Sequence, residues 1–360
     1  MKKIISLFTL LLFVSFAFGQ IPTGYYNNTS GKTGYVLKTA LKTIITNGHT
    51  NHSYGSLYTG YQTTDKDLYY ENDNSVLDMY SENPAGTDSY FYTHGNRKCG
   101  NYNSENDCYN REHLLPQSVF SSASPMKNDI HFVVPSDGYV NGQRSNLPFG
   151  EVGSSVLWTS MNGSKKGYNA TSGFSGVVFE PIDEFKGDIA RCLLYFATRY
   201  ESQVSSWTYS NVLNGTSNQV YTNWFLNVLL TWNKQDTVSQ REIDRNNACY
   251  NYQGNRNPFI DHNNFVDSIW GMPTYASIPE NRFATLKVFP NPTTTNSVTI
   301  TCQNNLNSIE VFTILGKKVK EIIRNETGSK LIKIKDLPKG ILVIKIKSGE
   351  KSVVRKVVVK

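Results

Sequence analysis

A chain of 360 residues with 39% hydrophobic and 12% aromatic content has apolar material for one large packed domain and a smaller one, which excludes a wholly disordered protein. The formal charge of +7 has to be located before it is used: residues 285–360 carry 15 Lys and Arg against 5 Asp and Glu, whereas residues 20–284 are net −5. Net charge therefore gives the larger part of the chain no claim on a polyanion, and any phosphate attraction there must come from a local basic patch.

At the N-terminus, Lys2 and Lys3 precede a nearly all-apolar run from Ile4 to Phe18, and Ala17 and Gly19 are the small residues of a cut before Gln20. Residues 1–19 read as a secretory signal peptide, shorter than the roughly 20 residues of a membrane span. The rest of the chain is expected to be exported through the periplasm and to end secreted or at the cell surface. No second apolar stretch is long enough to cross a bilayer. Cys99 and Cys108 flank a polar loop that a disulfide would close, which export permits, and the odd count of five cysteines leaves at least one free thiol.

Apolar residues at helical spacing predict a helix over 36–46. Residues 54–110, rich in Tyr, Asn, Gly, Ser and Asp, read as short strands and long loops. Helices are expected over 182–200, 219–233 and 237–252, followed by the loop Gln253–Asp261. Without regular strand–helix–strand alternation, a mixed α+β, helix-rich domain with a small sheet is expected over 20–280. Beyond about residue 284 the composition changes. β-Branched runs at 298–301, 309–313, 331–335, 341–347 and 351–359 alternate with turns at Asn305, Gly316, Pro338–Gly340 and Gly349, the pattern of a small β-sandwich over 285–360. Lys345 and Lys347 belong to a solvated strand face.

The chemistry concentrates in residues 109–151. Asn110-Arg-Glu-His113 leads into Leu114-Leu-Pro116, and Asp129-Ile-His-Phe-Val-Val-Pro135 begins a second apolar run. The two runs, each ending at proline, suggest a hairpin of two strands joined by the loop Phe120–Asn128. Ser136-Asp137 resembles a helix N-cap, so a short helix or turn brings Asn141 back toward the strands. Mg²⁺ takes few oxygen ligands from protein, and Glu112 with the Asn141 side-chain carbonyl would suffice. Hydrolysis of a phosphodiester also needs a base near neutrality, which suits His113. Adjacent strand residues point to opposite faces, so Glu112 and His113 must sit at a strand end or bulge, or act on two sides of the scissile group.

The ordered segments Asn110-Arg-Glu-His-Leu-Leu-Pro-Gln-Ser118, Asp129–Pro135, Val140-Asn-Gly-Gln-Arg-Ser-Asn146 and Phe149-Gly-Glu151, with Phe185–Arg191 and Gln253–Asp261 downstream, resemble the bacterial endonuclease I family of ββα-metal (His-Me finger) nucleases. The resemblance covers roughly residues 80–270. It implies His113 as general base and Glu112 and Asn141 as ligands of one divalent metal, Mg²⁺ with Mn²⁺ or Ca²⁺ as alternatives. It also implies DNA as substrate, and RNA in many members, with little sequence preference. Some members hold the scissile phosphate with an arginine on a longer loop between the strands. Here that loop is short and offers only Lys127, which leaves Arg111 and Arg144 as the other candidate phosphate contacts.

The tail segments Leu286–Thr293, Val311–Lys317, Leu337–Gly340 and the basic 351–360 end resemble a type IX secretion C-terminal sorting domain, which implies an outer-membrane exporter as partner. Two residues allow a structural role beside a functional one: His131, as a packed imidazole, and Arg256, as the anchor of its loop. The rival readings are a catalytically silent nucleic-acid-binding or adhesive secreted protein that keeps the fold, and a glycan-active enzyme, for which no paired-carboxylate cleft is identifiable.

Overall fold

The computed structural model describes residues 21–271, 286–323, 329–348 and 351–360. The expected signal peptide and the turn at Gly349 lie outside the described residues. The chain divides into two compact units at Gly271.

The N-terminal unit opens with helix α1 (Gly34–Thr46), whose Leu37, Leu41, Ile44 and Ile45 are buried at helical spacing. Helix α2 (Leu57–Thr64) follows, in a stretch whose composition suggested strands and loops. Its buried Tyr58 and Tyr61 lie three residues apart, and their hydroxyls donate to the carbonyls of Tyr109 and Val133. Next come strands β1 (Tyr109–His113) and β2 (Val133–Asp137) and helix α3 (Gly138–Arg144). A three-stranded antiparallel sheet follows, formed by β3 (Val152–Thr159), β4 (Lys165–Asn169) and β5 (Val177–Glu180) in sequential order.

The remainder of this unit is helical: α4 (Lys186–Arg199), α5 (Glu201–Val204), α6 (Asn223–Gln235), α7 (Gln240–Gln253), α8 (Pro258–Asp261) and α9 (Asn264–Ile269). Every residue of α4 is buried. Three of its four charged residues are accordingly paired: Arg191 makes a bidentate bridge to Glu242 of α7 at 2.5 and 2.8 Å, Asp188 meets Arg241 at 2.6 Å, and Lys186 meets Glu180 at 2.8 Å. α7 begins in a capping box between Ser239 and Glu242. Arg256 is likewise a loop anchor, bonded twice to Asp261 and once to Asn247.

Among its described residues the C-terminal unit is strand-rich. β6 (Lys287–Phe289), β7 (Val298–Leu306), β8 (Ser308–Thr313), β9 (Lys318–Ile323), β10 (Ser329–Ile334), β11 (Gly340–Ser348) and β12 (Lys351–Val359) form sheets of order β10-β7-β6 and β12-β11-β8-β9. Val298, Ile300, Ile332 and Ile334 from one sheet and Ile309, Val311, Leu342, Ile344, Ile346 and Val357 from the other share one apolar core, the sandwich arrangement. Lys345 and Lys347 alternate with the buried isoleucines and reach the outer face, as expected. Asn305 is not a turn, because β7 continues to Leu306.

Candidate active site

Strands β1 and β2 pair antiparallel in the register Tyr109↔Asp137 through His113↔Val133. The hairpin forms with shifted bounds: β1 ends where Leu114 begins, and β2 starts on the second apolar run at Val133 and continues through Pro135. Leu114 and Leu115 are buried as irregular chain after the strand. Pro135 stands opposite Arg111 in a two-stranded ribbon, where each strand has an outer edge and a missing N–H costs no ladder bond.

Asp137 turns the chain into α3. Its Oδ1 accepts the Tyr139 and Val140 N–H groups at 2.7 and 2.9 Å, and its Oδ2 accepts the Tyr92 hydroxyl and the Asn106 N–H. The loop closed by the Cys99–Cys108 disulfide packs on α3. A methyl group added at Gly138 would stand 2.3 Å from Cys99 Sγ, and one at Gly142 would stand 3.0 Å from the Tyr102 hydroxyl. These two glycines let the loop approach the helix that carries Asn141.

Glu112 is only 2% exposed. Its Oε1 accepts the Tyr80 hydroxyl at 3.1 Å and faces Arg144 Nη1 at 3.3 Å. Burial raises its pKa, while Arg144 and then Tyr80 oppose that shift. Arg144 also donates to the carbonyls of His113, Leu114 and Ser145. It was expected on the phosphate, yet it is buried with its guanidinium committed to the strand end. Asn141 lies on α3, three residues before Arg144, which places the two about one turn apart. It is half-buried, and its side-chain amide makes no hydrogen bond among the described residues.

His113, the last residue of β1, occupies the strand end that the alternation rule asks for. Its Nε2–H donates to the Lys127 carbonyl at 3.1 Å, so Nδ1 is the nitrogen with the free lone pair. Burial drives its pKa down to about 4, with the positive charges of Arg111, Arg144 and Lys127 adding to the effect, so the imidazole is neutral at pH 7. Arg111 shares a strand face with His113. Its guanidinium stacks 3.6 Å above the Tyr54 ring, and Lys127 Nζ lies 4.5 Å from that same ring. Two half-buried cations thus converge on one tyrosine, whose ring centroid is 5.8 Å from that of His113.

His131 belongs to a different environment. Its Nε2–H donates to the Asn255 carbonyl, and neighbouring Asp129 accepts the Tyr195 and Tyr200 hydroxyls and the Gln253 amide. This segment of the motif holds the fold. Tyr80 and Tyr54 carried no sequence signal, because nothing distinguishes them among 22 tyrosines. A cavity of about 610 Å³ lined by Glu151, Glu180, Asp183, Lys186 and Asp236 shares no residue with this site. Its paired glutamates are both bridged by Lys186.

The sequence pattern of the family described as Endonuclease I matches residues 33–264, which include every one of these site residues. The chain belongs to the endonuclease I family. Residues 287–360 match the secretion system C-terminal sorting domain, so the second unit is a type IX sorting domain. An extracellular ribonuclease of Bacillus amyloliquefaciens is 38% identical over 252 residues, which is 68% of this chain and 78% of that protein. The extracellular ribonuclease of Bacillus subtilis (strain 168) is 36% identical over 250 residues, with the same coverage. Endonuclease-1 of Buchnera aphidicola subsp. Baizongia pistaciae is 27% identical over 135 residues, 38% of this chain and 46% of that protein. This endonuclease I family member is therefore a nuclease that is secreted or carried to the cell surface.

Proposed function

We propose that the chain is a metal-dependent endonuclease that hydrolyses phosphodiester bonds of DNA, and of RNA as well, without sequence preference. The observation that carries the mechanism is the fixed tautomer of His113: the Lys127 carbonyl holds Nε2–H, and Nδ1 is left as a neutral base. His113 Nδ1 takes a proton from water as the water oxygen bonds to phosphorus and the 3′-oxygen departs, leaving a 5′-phosphate end. Arg111 and Lys127, held on Tyr54, meet the phosphate. Arg144 has the separate task of holding the Glu112 carboxylate by Oε1.

The donor set fits a hard divalent cation: a carboxylate gripped through one oxygen and an amide without a hydrogen bond both offer oxygen. Glu112 and Asn141 would hold it, Mg²⁺ by preference and Mn²⁺ or Ca²⁺ as alternatives. When bound it would supply positive charge for the phosphate and the leaving oxygen. RNA cleavage is supported by the two Bacillus relatives named as ribonucleases, and DNA cleavage by a relative from Aeromonas hydrophila named as an extracellular deoxyribonuclease, 26% identical over 140 residues.

The test is digestion of plasmid DNA, single-stranded DNA and RNA with and without EDTA, by the wild type and by His113→Ala. EDTA and the substitution should each abolish cleavage, while urea unfolding shows that the variant is folded. Full plasmid nicking by His113→Ala would remove His113 from the mechanism.

A further inference from the structure

Away from the residues of the nuclease site, three carboxylates converge in the segment between α2 and β1. One oxygen each from Asp67, Glu71 and Glu82 lies within 4.8 Å of the others. Asp67 and Glu82 are each only 1% exposed, and Glu71 is half-buried. Asp67 is oriented by its own loop: Oδ1 accepts the Tyr69 and Tyr70 N–H groups and Oδ2 accepts the Asn72 N–H, each at 3.0 Å. Glu71 Oε1 accepts the Asp88 N–H at 3.1 Å. The remaining oxygens are what require explanation. Glu82 Oε1 and Glu71 Oε2 are both buried and have no hydrogen-bond donor among the described residues. The charged groups around Glu82, namely Asp88, Glu71 and Asp67, are all negative.

Buried carboxylates without a donor or a counter-charge are strongly disfavoured, and two outcomes relieve them: a shared proton or a bound cation. The donor set favours the cation: all three side chains offer oxygen, and Ca²⁺, which binds oxygens at about 2.3–2.6 Å, accepts an irregular loop-built shell completed by water. Mg²⁺ requires shorter bonds and a near-octahedral shell, which three carboxylates fixed by loop backbone suit poorly.

We propose that Asp67, Glu71 and Glu82 form a second divalent-cation site, of calcium type, separate from the nuclease centre and structural in role. It ties the 67–75 loop to the segment that continues through Tyr80, the residue whose hydroxyl holds Glu112. It also gives an exported protein a use for the calcium present outside cells, where loop-built sites bind weakly and still fill.

The test uses the metal-stripped full chain carrying Glu112→Gln, so that the nuclease centre does not contribute a second carboxylate site. Calorimetric titration with CaCl₂ should show one bound ion. The melting temperature should rise by roughly 5–10 °C once Ca²⁺ exceeds the dissociation constant about 100-fold. Adding Glu71→Gln at its half-buried position should abolish both effects and the tyrosine-sensitised luminescence of bound Tb³⁺. Adding Glu82→Gln should abolish calcium binding and also raise the melting temperature of the metal-free chain, because an uncompensated carboxylate is gone. Absence of Ca²⁺ binding to the Glu112→Gln chain, or undiminished binding after Glu71→Gln, would overturn the site in favour of a shared proton.

Discussion

Glu112 carries an arginine and a tyrosine on one of its two oxygens, which assigns different costs to the two sides of the pair. Arg144→Met leaves a buried carboxylate facing Tyr80 alone and strips the His113 and Leu114 carbonyls of their donor. It should cost about 3–5 kcal/mol of unfolding free energy. Glu112→Gln keeps an oxygen for Tyr80 and leaves Arg144 its three carbonyl acceptors, so it should unfold within about 1 kcal/mol of the wild type while losing cleavage. Urea unfolding and plasmid nicking, measured on both variants, separate holding the site from operating it. Equal destabilisation by the two would show that the pair is purely structural. A second buried group supplies a pH prediction. Burial pushes the His131 pKa down to about 4, against an unfolded value near 6.5. Between those values the unfolded chain binds the proton and the folded chain does not, so stability is full above about pH 6.5 and falls as the pH drops toward 4. The loss from this group is at most about 3 kcal/mol. His131→Gln can still donate to the Asn255 carbonyl but no longer titrates. Its unfolding free energy should therefore fall less between pH 7 and pH 4 than that of the wild type, and parallel losses would exclude His131 as a source of acid sensitivity.

At the scale of elements, the site depends on how closely α3 meets the loop closed by the disulfide. Gly138→Ala places a methyl group against Cys99 Sγ and the Tyr102 ring, neither of which can retreat without moving the loop. Overpacking of this kind should cost about 1–3 kcal/mol and lower turnover, because α3 moves with Asn141 on it. Unchanged turnover in nicking assays would mean that the helix position tolerates the shift. Such a constraint is hard to read from sequence. Asp137 was legible as an N-cap because a short acceptor before a helix satisfies free N–H groups by a local rule. α1, α4 and α7 were legible from helical periodicity, but α6 was displaced, since Thr222 is still extended and the helix starts at Asn223. The strand bounds were displaced because Tyr109–His113 is mostly polar and is held by pairing with β2, whereas the apolar Leu114 and Leu115 are buried without belonging to a strand. Gly138, Gly142 and Tyr80 owe their importance to residues distant in sequence, which no local pattern encodes. Arg144 was misplaced for a related reason: a cation near a phosphate site and one buried under it are identical in sequence.

The whole chain has opposite charge in its two units, and that separation predicts behaviour in solution. The core around the nuclease site is assembled from Tyr26 to Trp270, and the tail has a core of its own. The basic excess belongs to the tail, at +10 for residues 285–360, while residues 20–284 are net −5. On the proposed mechanism, productive contact with nucleic acid rests on the few cations at Tyr54, and the tail would add only a general attraction that released counterions make salt-dependent. A chain ending at Gly271 should keep its turnover within about twofold at saturating substrate. Its binding to DNA should weaken less steeply with added salt than that of the full chain, because fewer phosphates are neutralised. Nicking kinetics and filter binding across a salt series measure both quantities on the same preparations. Loss of turnover on truncation would mean that the sorting domain takes part in cleavage, and an unchanged salt slope would mean that the tail's lysines do not meet DNA at all. With turnover kept and the slope reduced, export and catalysis are separable functions of one chain, each confined to its own core.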